Sequence, residues 1–394
     1  MKKRLLFVID SLGIGGAEKS LVTLLNCIDY NKFNVDLQLF SRGGEFEKFV
    51  PKEVNILEIP TYLKYCSTSF FSKYFNLRRA TARLSYSISL RLNKKATHPD
   101  KARLFWTFTS KVISKNKQQY DVAIAYAQGV PTFYVIDKVL ECKKIAWVNS
   151  SLIIDKKTLD FNTPYYNNYD NIVTVSINAI NILEKNFLQI KNKLLIISDI
   201  IDARFIKKLS AEDINDIHPL INCPILLTVA RLNNKHKGYD IALNVAKILN
   251  ERGVNFIWYA VGEGEFRAEM ETFIKDNNLT NKFILLGAKS NPYPYFKSCD
   301  LYVQTSRHEG FGLSIAEARI LNKPVVTTEF DAVWDQMVQG KNGIVVPIDA
   351  TAVADAIQDL IENPKKMKAI SDYQNTEKKG NIEELEKFYQ LIES

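Results

Sequence analysis

Short apolar runs alternate with amphipathic stretches along most of the chain, and this alternation predicts strands and helices in turn. In the first half, the runs short enough to be buried strands are residues 3–10, 35–40, 122–126, 144–148 and 172–175. Between several of these runs, apolar residues recur at helical spacing, most clearly over 18–27 and 177–186. Strands that alternate with helices favour a parallel sheet with helices on both faces.

The alternation begins again after Leu194. This second series predicts strands over 225–230, 255–261, 283–286, 301–304 and 324–328, and helices over 239–251, 266–277, 313–321 and 351–362. One more amphipathic helix is predicted over 383–392. Two such series predict an α/β chain of two doubly wound domains, with the boundary in the polar stretch between Asp202 and Pro224.

Composition limits the class of protein. With 394 residues, 46% hydrophobic and 24% charged, the chain is long enough for two soluble globular domains. No apolar run approaches the roughly 18–20 residues that a membrane-spanning helix needs. The basic start at Lys2 precedes only five apolar residues, too few for a signal peptide. Five scattered cysteines favour a reducing, cytoplasmic compartment, and the spacing of the four histidines predicts no protein-built metal site.

Charge is concentrated in one segment, residues 60–118, which we call the basic aromatic segment. It has thirteen Lys and Arg, ten aromatic residues and a single acid, Asp100, so it carries +12 and the rest of the chain carries −4 of the total of +8. Three interpretations are open: helices with solvated basic faces, a surface for nucleic acid, or a surface for an anionic membrane. The interleaved aromatic residues favour the membrane, with Arg78, Arg79 and Arg83 as candidate contacts.

A glycine-rich turn follows the first predicted strand, with Gly13, Gly15 and Gly16 ahead of the first helix. Glycines at a strand–helix junction allow either a tight turn or the close approach of a ligand to the backbone. A dinucleotide fingerprint would require an acid roughly 20 residues later, at the end of the second strand. The chain has Arg42 after that strand, which disfavours NAD and leaves NADP open.

Two cations follow the first strand of the second series. Arg231 lies at the strand end, and Lys237 comes just before the helix predicted from Tyr239. Ligands bind at the carboxyl ends of such strands, and cations beside the positive end of a helix are unfavourable unless an anion lies between them. A diphosphate would satisfy both conditions, whereas a solvated basic loop is the alternative.

A third constellation lies at residues 306–317, where Gly310 and Gly312 separate a strand from a helix and two carboxylates, Glu309 and Glu317, flank the turn. Each carboxylate can bind vicinal sugar hydroxyls, so two of them beside a phosphate-binding turn suit a nucleotide-sugar. The alternatives are a solvated loop acid at Glu309 and an ordinary first-turn helix acid at Glu317. His308 is expected to be structural.

These residues resemble a known family, the retaining glycosyltransferases of family 4. Glu309-x7-Glu317 resembles the EX7E motif, and Ala230-Arg231-Leu232…Lys237-Gly238 resembles the donor-phosphate motif of that family. The glycine turn, residues 261–264 and residues 329–346 also fit. The resemblance implies a GT-B fold, in which two Rossmann-like domains face each other across a cleft. It implies an acceptor domain over 1–205, a donor domain over 206–375, and a segment 376–394 whose helix packs back on the first domain.

The resemblance also implies a role for each matched position. Arg231 and Lys237 would stabilise the leaving diphosphate in place of a metal, Glu309 would hold the donor sugar, and Glu317 would hold the ribose. The remaining positions implied to contact or admit the donor are Gly15, Gly16, Gly262, Gly310, Phe311, Gly312 and Leu313. The implied donor is a UDP- or GDP-sugar, with no cofactor and no metal.

Two positions depart from the family pattern. Asn149 stands where many relatives have a His that contacts the donor sugar, and Asp199 stands where relatives often have Asn. Asn can hydrogen-bond a hydroxyl but cannot carry a proton near neutral pH. These departures keep open a non-catalytic, transferase-like partner subunit.

We therefore expect a cytoplasmic, retaining glycosyltransferase, peripheral on the inner face of the cell membrane. It would transfer sugar to a lipid-linked glycan acceptor in bacterial surface polysaccharide biosynthesis. A non-catalytic partner subunit and an NADP-dependent oxidoreductase are the alternatives.

Overall fold

A computed structural model describes residues 2–149, 155–217 and 223–394. Part of the expected boundary stretch, residues 218–222, lies outside the described residues. The strands are β1 Lys3–Ile9, β2 Phe33–Leu39, β3 Asn55–Ile56, β4 Val122–Ala125, β5 Lys143–Val148, β6 Asn171–Thr174, β7 Leu194–Ile196, β8 Ile225–Val229, β9 Ile257–Val261, β10 Phe283–Gly287, β11 Leu301–Gln304, β12 Val325–Thr328 and β13 Ile344–Val346.

Helices connect these strands. They are α1 Gly16–Cys27, α2 Thr61–Cys66, α3 Leu77–Leu92, α4 His98–Thr109, α5 Val130–Lys138, α6 Lys156–Asn167, α7 Ile177–Asn186, α8 Ala203–Leu209, α9 Asn234–Lys237, α10 Tyr239–Glu251, α11 Arg267–Asp276, α12 Tyr293–Ser298, α13 Leu313–Ile320, α14 Ala350–Glu362, α15 Pro364–Thr376 and α16 Glu384–Glu393. Short 3₁₀ turns cover Glu47–Phe49, Ser110–Val112, Leu188–Lys193 and Val333–Asp335.

The chain divides into two compact units. The first contains the described residues of Met1–Asp199 together with Glu383–Ser394, and the second contains those of Ile200–Ile382. The division thus falls at 199/200, where the sequence placed it at 205/206, and the chain returns to the first unit at residue 383.

Each unit is built on one parallel sheet. Among the described residues, the first sheet has the strand order β3-β2-β1-β4-β5-β6-β7, and the second has β10-β9-β8-β11-β12-β13. All strand pairs are parallel, for example Leu5 with Val35 and Leu226 with Trp258. In both sheets the strand order reverses once, between β1 and β4 and between β8 and β11. A reversal of this kind opens a crevice at the carboxyl ends of the strands.

Burial on both faces explains why the strands are short continuous apolar runs. Leu226 and Leu227 are adjacent on β8, and both are fully buried, yet they belong to two different hydrophobic clusters. Successive strand residues point to opposite faces, so one cluster lies on each side of the sheet. The rigid sheet then fixes where each strand ends, and with it the position of the loops that follow.

The last helix, α16, packs within the first unit. The Phe388 ring is fully buried and lies 6.2 Å from the Phe7 ring and 6.3 Å from the Trp147 ring. Tyr389 stacks on Phe33 at 5.5 Å, and its hydroxyl accepts a hydrogen bond from the Asp29 N–H. The C-terminal helix is therefore an integral part of the first unit, although it follows the whole second unit in sequence.

Candidate active site

The strongest candidate site lies in the second unit, where β8 and β11 end side by side. The loops after these two strands are tied together by Arg307, whose N–H donates to the His236 carbonyl at 2.7 Å. Its guanidinium binds both carboxylate oxygens of Asp240 at 2.7 and 2.8 Å, and also the Asn234 carbonyl. Burial raises the pKa of Asp240, but the Arg307 hydrogen bonds outweigh it and leave that pKa below its usual range. The two loops therefore form one rigid edge.

Lys237 and Glu309 meet at this edge. The Lys237 Nζ lies 2.5 Å from the Glu309 Oε1, and the two side chains are 25% and 12% exposed. The same Oε1 accepts hydrogen bonds from Gln304 Nε2 at 3.1 Å and from Ser306 Oγ at 2.7 Å. Three donors thus fix one oxygen of the carboxylate, and Oε2 has no hydrogen-bond partner among the residues the structure describes. A carboxylate held in this way is preorganised to accept from a ligand hydroxyl.

Gly238 sets the position of Lys237. Its φ of 61° is in the left-handed region, and a Cβ built on it would lie 2.1 Å from the Thr305 carbonyl oxygen. The four-residue helix α9 ends here, and α10 begins at the next residue. Only glycine combines this turn with contact to the end of β11, so Lys237 is aimed at the loop that carries Glu309.

Arg231 lies at the end of β8 and is exposed, and it makes no ion pair or side-chain hydrogen bond within 2–149, 155–217 and 223–394. The backbone beside it is tightly fixed. A Cβ on Gly262 would lie 1.9 Å from the Ala230 carbonyl oxygen, and the Leu232 N–H donates to the Glu263 carbonyl at 2.9 Å. The structure gives Gly262 a packing reason to be glycine, and its predicted contact with a donor remains a prediction. An exposed arginine on a fixed backbone suits an external anion.

The turn that precedes α13 has backbone N–H groups available as hydrogen-bond donors. The N–H groups of Gly310, Phe311, Gly312 and Leu313 make no hydrogen bond to any described residue. In contrast, the carbonyls of Phe311 and Gly312 accept from the side-chain amide of Gln336. The carbonyl side of the turn is therefore occupied, while the N–H side and the helix start are available to an anion.

Glu317, the second carboxylate of the motif, lies further along α13 and is only 2% exposed. The Tyr293 hydroxyl donates to its Oε1 at 3.5 Å. Burial and the neighbouring Glu317 raise the pKa of Tyr293, which keeps the phenol protonated and able to donate. Of the predicted polar side chains, Lys237 and Glu309 are the pair that the structure brings into direct contact.

The first unit has its own polar cluster at the carboxyl ends of its strands. Ser20, on α1 just after the glycine turn, donates to Asp199 Oδ1 at 2.5 Å, and its Oγ lies 2.8 Å from the Tyr126 hydroxyl. The Asn149 side chain donates to the Tyr126 carbonyl at 2.7 Å. Burial raises the pKa of Asp199 to about 6, against the lowering effect of the Ser20 hydrogen bond. The two positions that depart from the family pattern are thus linked through Tyr126.

The glycine turn itself is at the start of α1. Gly15 is the N-cap with an extended backbone, and Gly16 is the exposed first residue of the helix. A Cβ on Gly15 would lie 2.2 Å from Glu18 Oε2, which is the tip of a flexible side chain and can move aside. The backbone geometry described at Gly15 therefore accommodates residues other than glycine, and the predicted ligand approach stays a prediction.

Comparison with known proteins shows which family the second unit is similar to. Residues 211–377, most of the second unit, match the family model for glycosyl transferases group 1. The chain is also 24% identical to the N-acetylgalactosamine-N,N'-diacetylbacillosaminyl-diphospho-undecaprenol 4-alpha-N-acetylgalactosaminyltransferase of Campylobacter jejuni, over 94% of each chain. The second unit is therefore similar to the group 1 glycosyltransferases over residues 211–377.

Other curated relatives match over a shorter length. An uncharacterized glycosyltransferase of Methanocaldococcus jannaschii is 26% identical over 48% of each chain, so the chain spans about half the length of that relative. Solved structures match over the whole length. Anabaena HepE in complex with UDP and glucose has a TM-score of 0.69 at 17% identity, and Staphylococcus aureus TarM has a TM-score of 0.70 at 15% identity, each with complete coverage. These likenesses confirm the GT-B fold class.

The sequence alone did not reveal several residues of the candidate site. Gln304 and Ser306 hold Glu309, and the Arg307–Asp240 pair joins the two loops. One signal was present, since Gln304 is a polar residue that ends an apolar strand and is buried. A buried polar side chain needs partners, and the Gln304 amide donates to Glu309 and accepts from the Tyr302 hydroxyl.

The structure also changes the interpretation of the three arginines of the basic aromatic segment. Arg83 donates to the carbonyls of Tyr65 and Thr68 at 3.0 and 3.1 Å, and Arg79 donates to the Tyr74 carbonyl at 3.0 Å. Both hold the connection between α2 and α3. Only Arg78 is exposed, at the first turn of α3. The sequence shows the charge of each residue but not the direction of its side chain.

No helix among the described residues has the length and apolar character needed to cross a bilayer. Within the same residues, no three or more His, Cys, Asp or Glu side chains are grouped as metal ligands.

Proposed function

We propose that this protein is a group 1 glycosyltransferase, which moves a sugar from a nucleoside-diphosphate-sugar, such as a UDP- or GDP-sugar, to a glycan acceptor with retention of configuration. The observation that carries the proposal is the Lys237–Glu309 pair, which is followed along the chain by the N–H groups of residues 310–313, none of them hydrogen-bonded to a residue that the structure describes. This arrangement offers cation, backbone donors and carboxylate at one strand edge. A diphosphate needs the first two, and a sugar hydroxyl needs the third.

The proposed chemistry breaks the bond between the anomeric carbon and the diphosphate oxygen and forms a bond to the oxygen of an acceptor hydroxyl, whose proton passes to the leaving diphosphate. Negative charge develops on the leaving diphosphate, where Lys237 and Arg231 would stabilise it without a metal ion. A bound diphosphate would compete with Glu309 for Lys237. Glu309 would remain in place, because Gln304 and Ser306 still hold its Oε1.

Glu317 is proposed to bind the ribose, with its carboxylate held by Tyr293 from within the domain. Gly15, Gly16 and Asn149 are proposed to contribute further donor contacts. Asn149 would hydrogen-bond a sugar hydroxyl, since its amide remains neutral across the physiological range.

We propose a lipid-linked acceptor and a place in bacterial surface polysaccharide synthesis. The name of the Campylobacter jejuni relative describes transfer to a diphospho-undecaprenol glycan. Another relative is named a capsular polysaccharide biosynthesis glycosyltransferase of Staphylococcus aureus. The proposed location is the cytoplasmic face of the cell membrane, with peripheral attachment through the first unit, where the basic aromatic segment lies.

The test is a panel of nucleotide-sugars assayed for nucleotide release, with and without a membrane extract as acceptor source. The wild-type protein is compared with Glu309→Gln, which keeps the shape of the side chain and removes its charge. The matched control is Glu251→Gln, on the exposed end of α10. We expect release from one donor class, a loss of about 100-fold or more in Glu309→Gln, and no change in the control.

Each alternative has its own signature in this panel. A non-catalytic partner subunit would bind a nucleotide, seen as a thermal shift, without releasing product from any donor. An oxidoreductase would be stabilised by NADP and by no nucleotide-sugar. Full turnover by Glu309→Gln would contradict the proposed site.

A further inference from the structure

Helix α3 presents four of its large apolar side chains to solvent. Leu77, Leu84, Ile88 and Leu92 are 72%, 50%, 54% and 80% exposed. Their spacing of seven, four and four residues places them along one side of the helix. We call these four residues the apolar ridge. In a surface helix the apolar stripe ordinarily faces the core. In α3 these four apolar residues face the solvent instead.

The opposite side of α3 shows that the reversal is built into the fold. The residues that α3 buries are small: Ala80, Ala82 and Ser89. Ala82 belongs to the same core cluster as Ala102 and Trp106 of α4. Small residues allow close helix packing, and Arg79 and Arg83 then fix the start of α3 to the preceding loop. The apolar ridge therefore projects from a firmly held helix and is not a loosely packed core.

Positive charge borders the apolar ridge within its own stretch of sequence. Arg78 and Arg91 are exposed on either side of it, and Lys94 and Lys95 are exposed just beyond the helix end. No Asp or Glu occurs between residues 59 and 99. An apolar centre with cationic flanks is the composition of helices that lie in a membrane interface, with their basic residues among anionic headgroups.

Two aromatic rings extend the exposed apolar surface ahead of α3. Phe71 is 82% exposed and Phe75 is 43% exposed, and their ring centroids are 5.6 Å apart. Exposed phenyl rings are costly in water and partition into the interfacial region of a bilayer.

We infer that the apolar ridge of α3, with Phe71 and Phe75, inserts in the plane of an anionic membrane while Arg78 and Arg91 contact lipid phosphates. The sixteen residues of α3 give a helix of about 24 Å, which suits an in-plane orientation. A second copy of the chain is a poorer occupant, because two such faces would bring two strongly positive surfaces together. Nucleic acid is also poorer, because the centre of the face is aliphatic.

This inference deepens the proposed membrane attachment but does not depend on sugar transfer. It makes the aliphatic ridge the anchoring element, and it makes Arg79 and Arg83 supports of the fold. Binding to vesicles is measured without donor or acceptor, and transfer is measured separately in detergent. A protein that binds vesicles but transfers no sugar would overturn the proposed function alone.

The test is flotation of the full chain with vesicles made of equal parts phosphatidylcholine and phosphatidylglycerol. The variant is Leu84→Ser, Ile88→Ser and Leu92→Ser combined, since all three side chains are already exposed. The control is Leu140→Ser with Ile348→Ser, which are 40% and 45% exposed elsewhere. We expect the partition coefficient to fall by about 100-fold in the triple variant and to stay within about twofold in the control.

A second variant tests the charges. Arg78→Gln with Arg91→Gln is expected to weaken binding about tenfold on the anionic vesicles and to leave binding to pure phosphatidylcholine unchanged. Wild-type binding by the triple variant, or no binding by the wild type, overturns the inference. So does a concentration-dependent dimer that the triple variant abolishes, because the ridge would then be an interface between two copies.

Discussion

Lys237 and Glu309 stabilise each other as an ion pair. The carboxylate neutralises the lysine, and neither side chain is fully in water, so their attraction is stronger than that of a surface pair. Gln304 and Ser306 hold the carboxylate independently of the lysine. The lysine can therefore transfer its interaction to an incoming anion without leaving the carboxylate unsupported.

We predict that Lys237→Gln lowers kcat by about 100- to 1,000-fold with a smaller change in KM, because the cation acts on charge that develops during bond breaking. Lys235→Gln is the matched control, since Lys235 is an exposed lysine of the same short helix. Steady-state kinetics of nucleotide release provide the measurement. An equal loss in the control would show that α9 contributes general positive charge and not a specific contact.

Asp199 is a buried acid, 6% exposed, whose pKa is raised to about 6. Between about pH 4 and pH 6 the folded protein retains a proton that the unfolded chain has already lost. Stability therefore falls as the pH rises through this window, and the cost is complete above the folded pKa. The ionised form is tolerated because Ser20 donates to it.

Asp199→Asn is predicted to stabilise the first unit by about 2–3 kcal/mol at pH 8 and by much less at pH 4, because the amide has no charge to desolvate. The Ser20 hydrogen bond is retained through the amide oxygen. Urea unfolding at the two pH values measures the effect, with the exposed Asp276→Asn as control. A gain of equal size at both pH values would show that packing, and not ionisation, is responsible.

Sequence reasoning at the residue scale found the residue types of the site but not all of their partners. The spacing of Arg231, Lys237 and Glu309 indicated a diphosphate and a sugar without showing that Lys237 and Glu309 touch. Side-chain direction is decided by the loop backbone, and the turns that set it depend on contacts between β8 and β11. The orientation of Arg79 and Arg83 was missed for the same reason.

The residues at which helices and strands end determine where the side chains of the candidate site lie. Helix α9 ends at Gly238, whose φ of 61° is left-handed. The missing side chain also lets the Thr305 carbonyl oxygen approach, since a Cβ there would lie only 2.1 Å from it. Two loops from different strands can approach this closely only where one has no side chain. The distance between Lys237 and Glu309 is therefore a property of the junction between elements.

Gly238→Ala is predicted to destabilise the second unit by about 2–3 kcal/mol and to weaken nucleotide binding. Gly253→Ala is the control, since Gly253 has a φ of 74° but nothing within 4 Å of its built Cβ. In Gly253→Ala only the backbone strain lowers the stability, by about 1 kcal/mol. Thermal unfolding with and without UDP measures both effects, and equal losses in the two variants would rule out the steric clash as the cause.

The sequence predicted strands and helices well where the apolar period was clear. All the predicted elements of the second series are present with ends within two residues, and Tyr239–Glu251 and Leu301–Gln304 agree at both ends. Periodicity did not predict strands β3, β7 and β13, which have two or three residues each and lie at the sheet edges. So few residues have no detectable period, and their pairing with a longer neighbour decides their conformation.

At the scale of the whole molecule, sequence order and spatial grouping differ. The chain completes most of the first unit, then the entire second unit, and then adds Glu383–Ser394 to the first. Periodicity identified the last helix but gave no information on where it packs. That packing was expected only from the family resemblance, and the burial of Phe388 gives it a physical basis.

This grouping predicts that the two units unfold in two separate transitions, and that each transition can be shifted without the other. Phe388→Ala removes a fully buried ring that contacts Phe7 and Trp147, so it should destabilise the first unit by about 3–5 kcal/mol. UDP should instead stabilise the second unit, since binding to a folded state raises its stability. Differential scanning calorimetry measures both, with the partly exposed Ile348→Ala as control. If Phe388→Ala and UDP shifted one common transition, the two units would unfold as a single cooperative body, and the stability of the candidate site would depend on a helix at the far end of the chain.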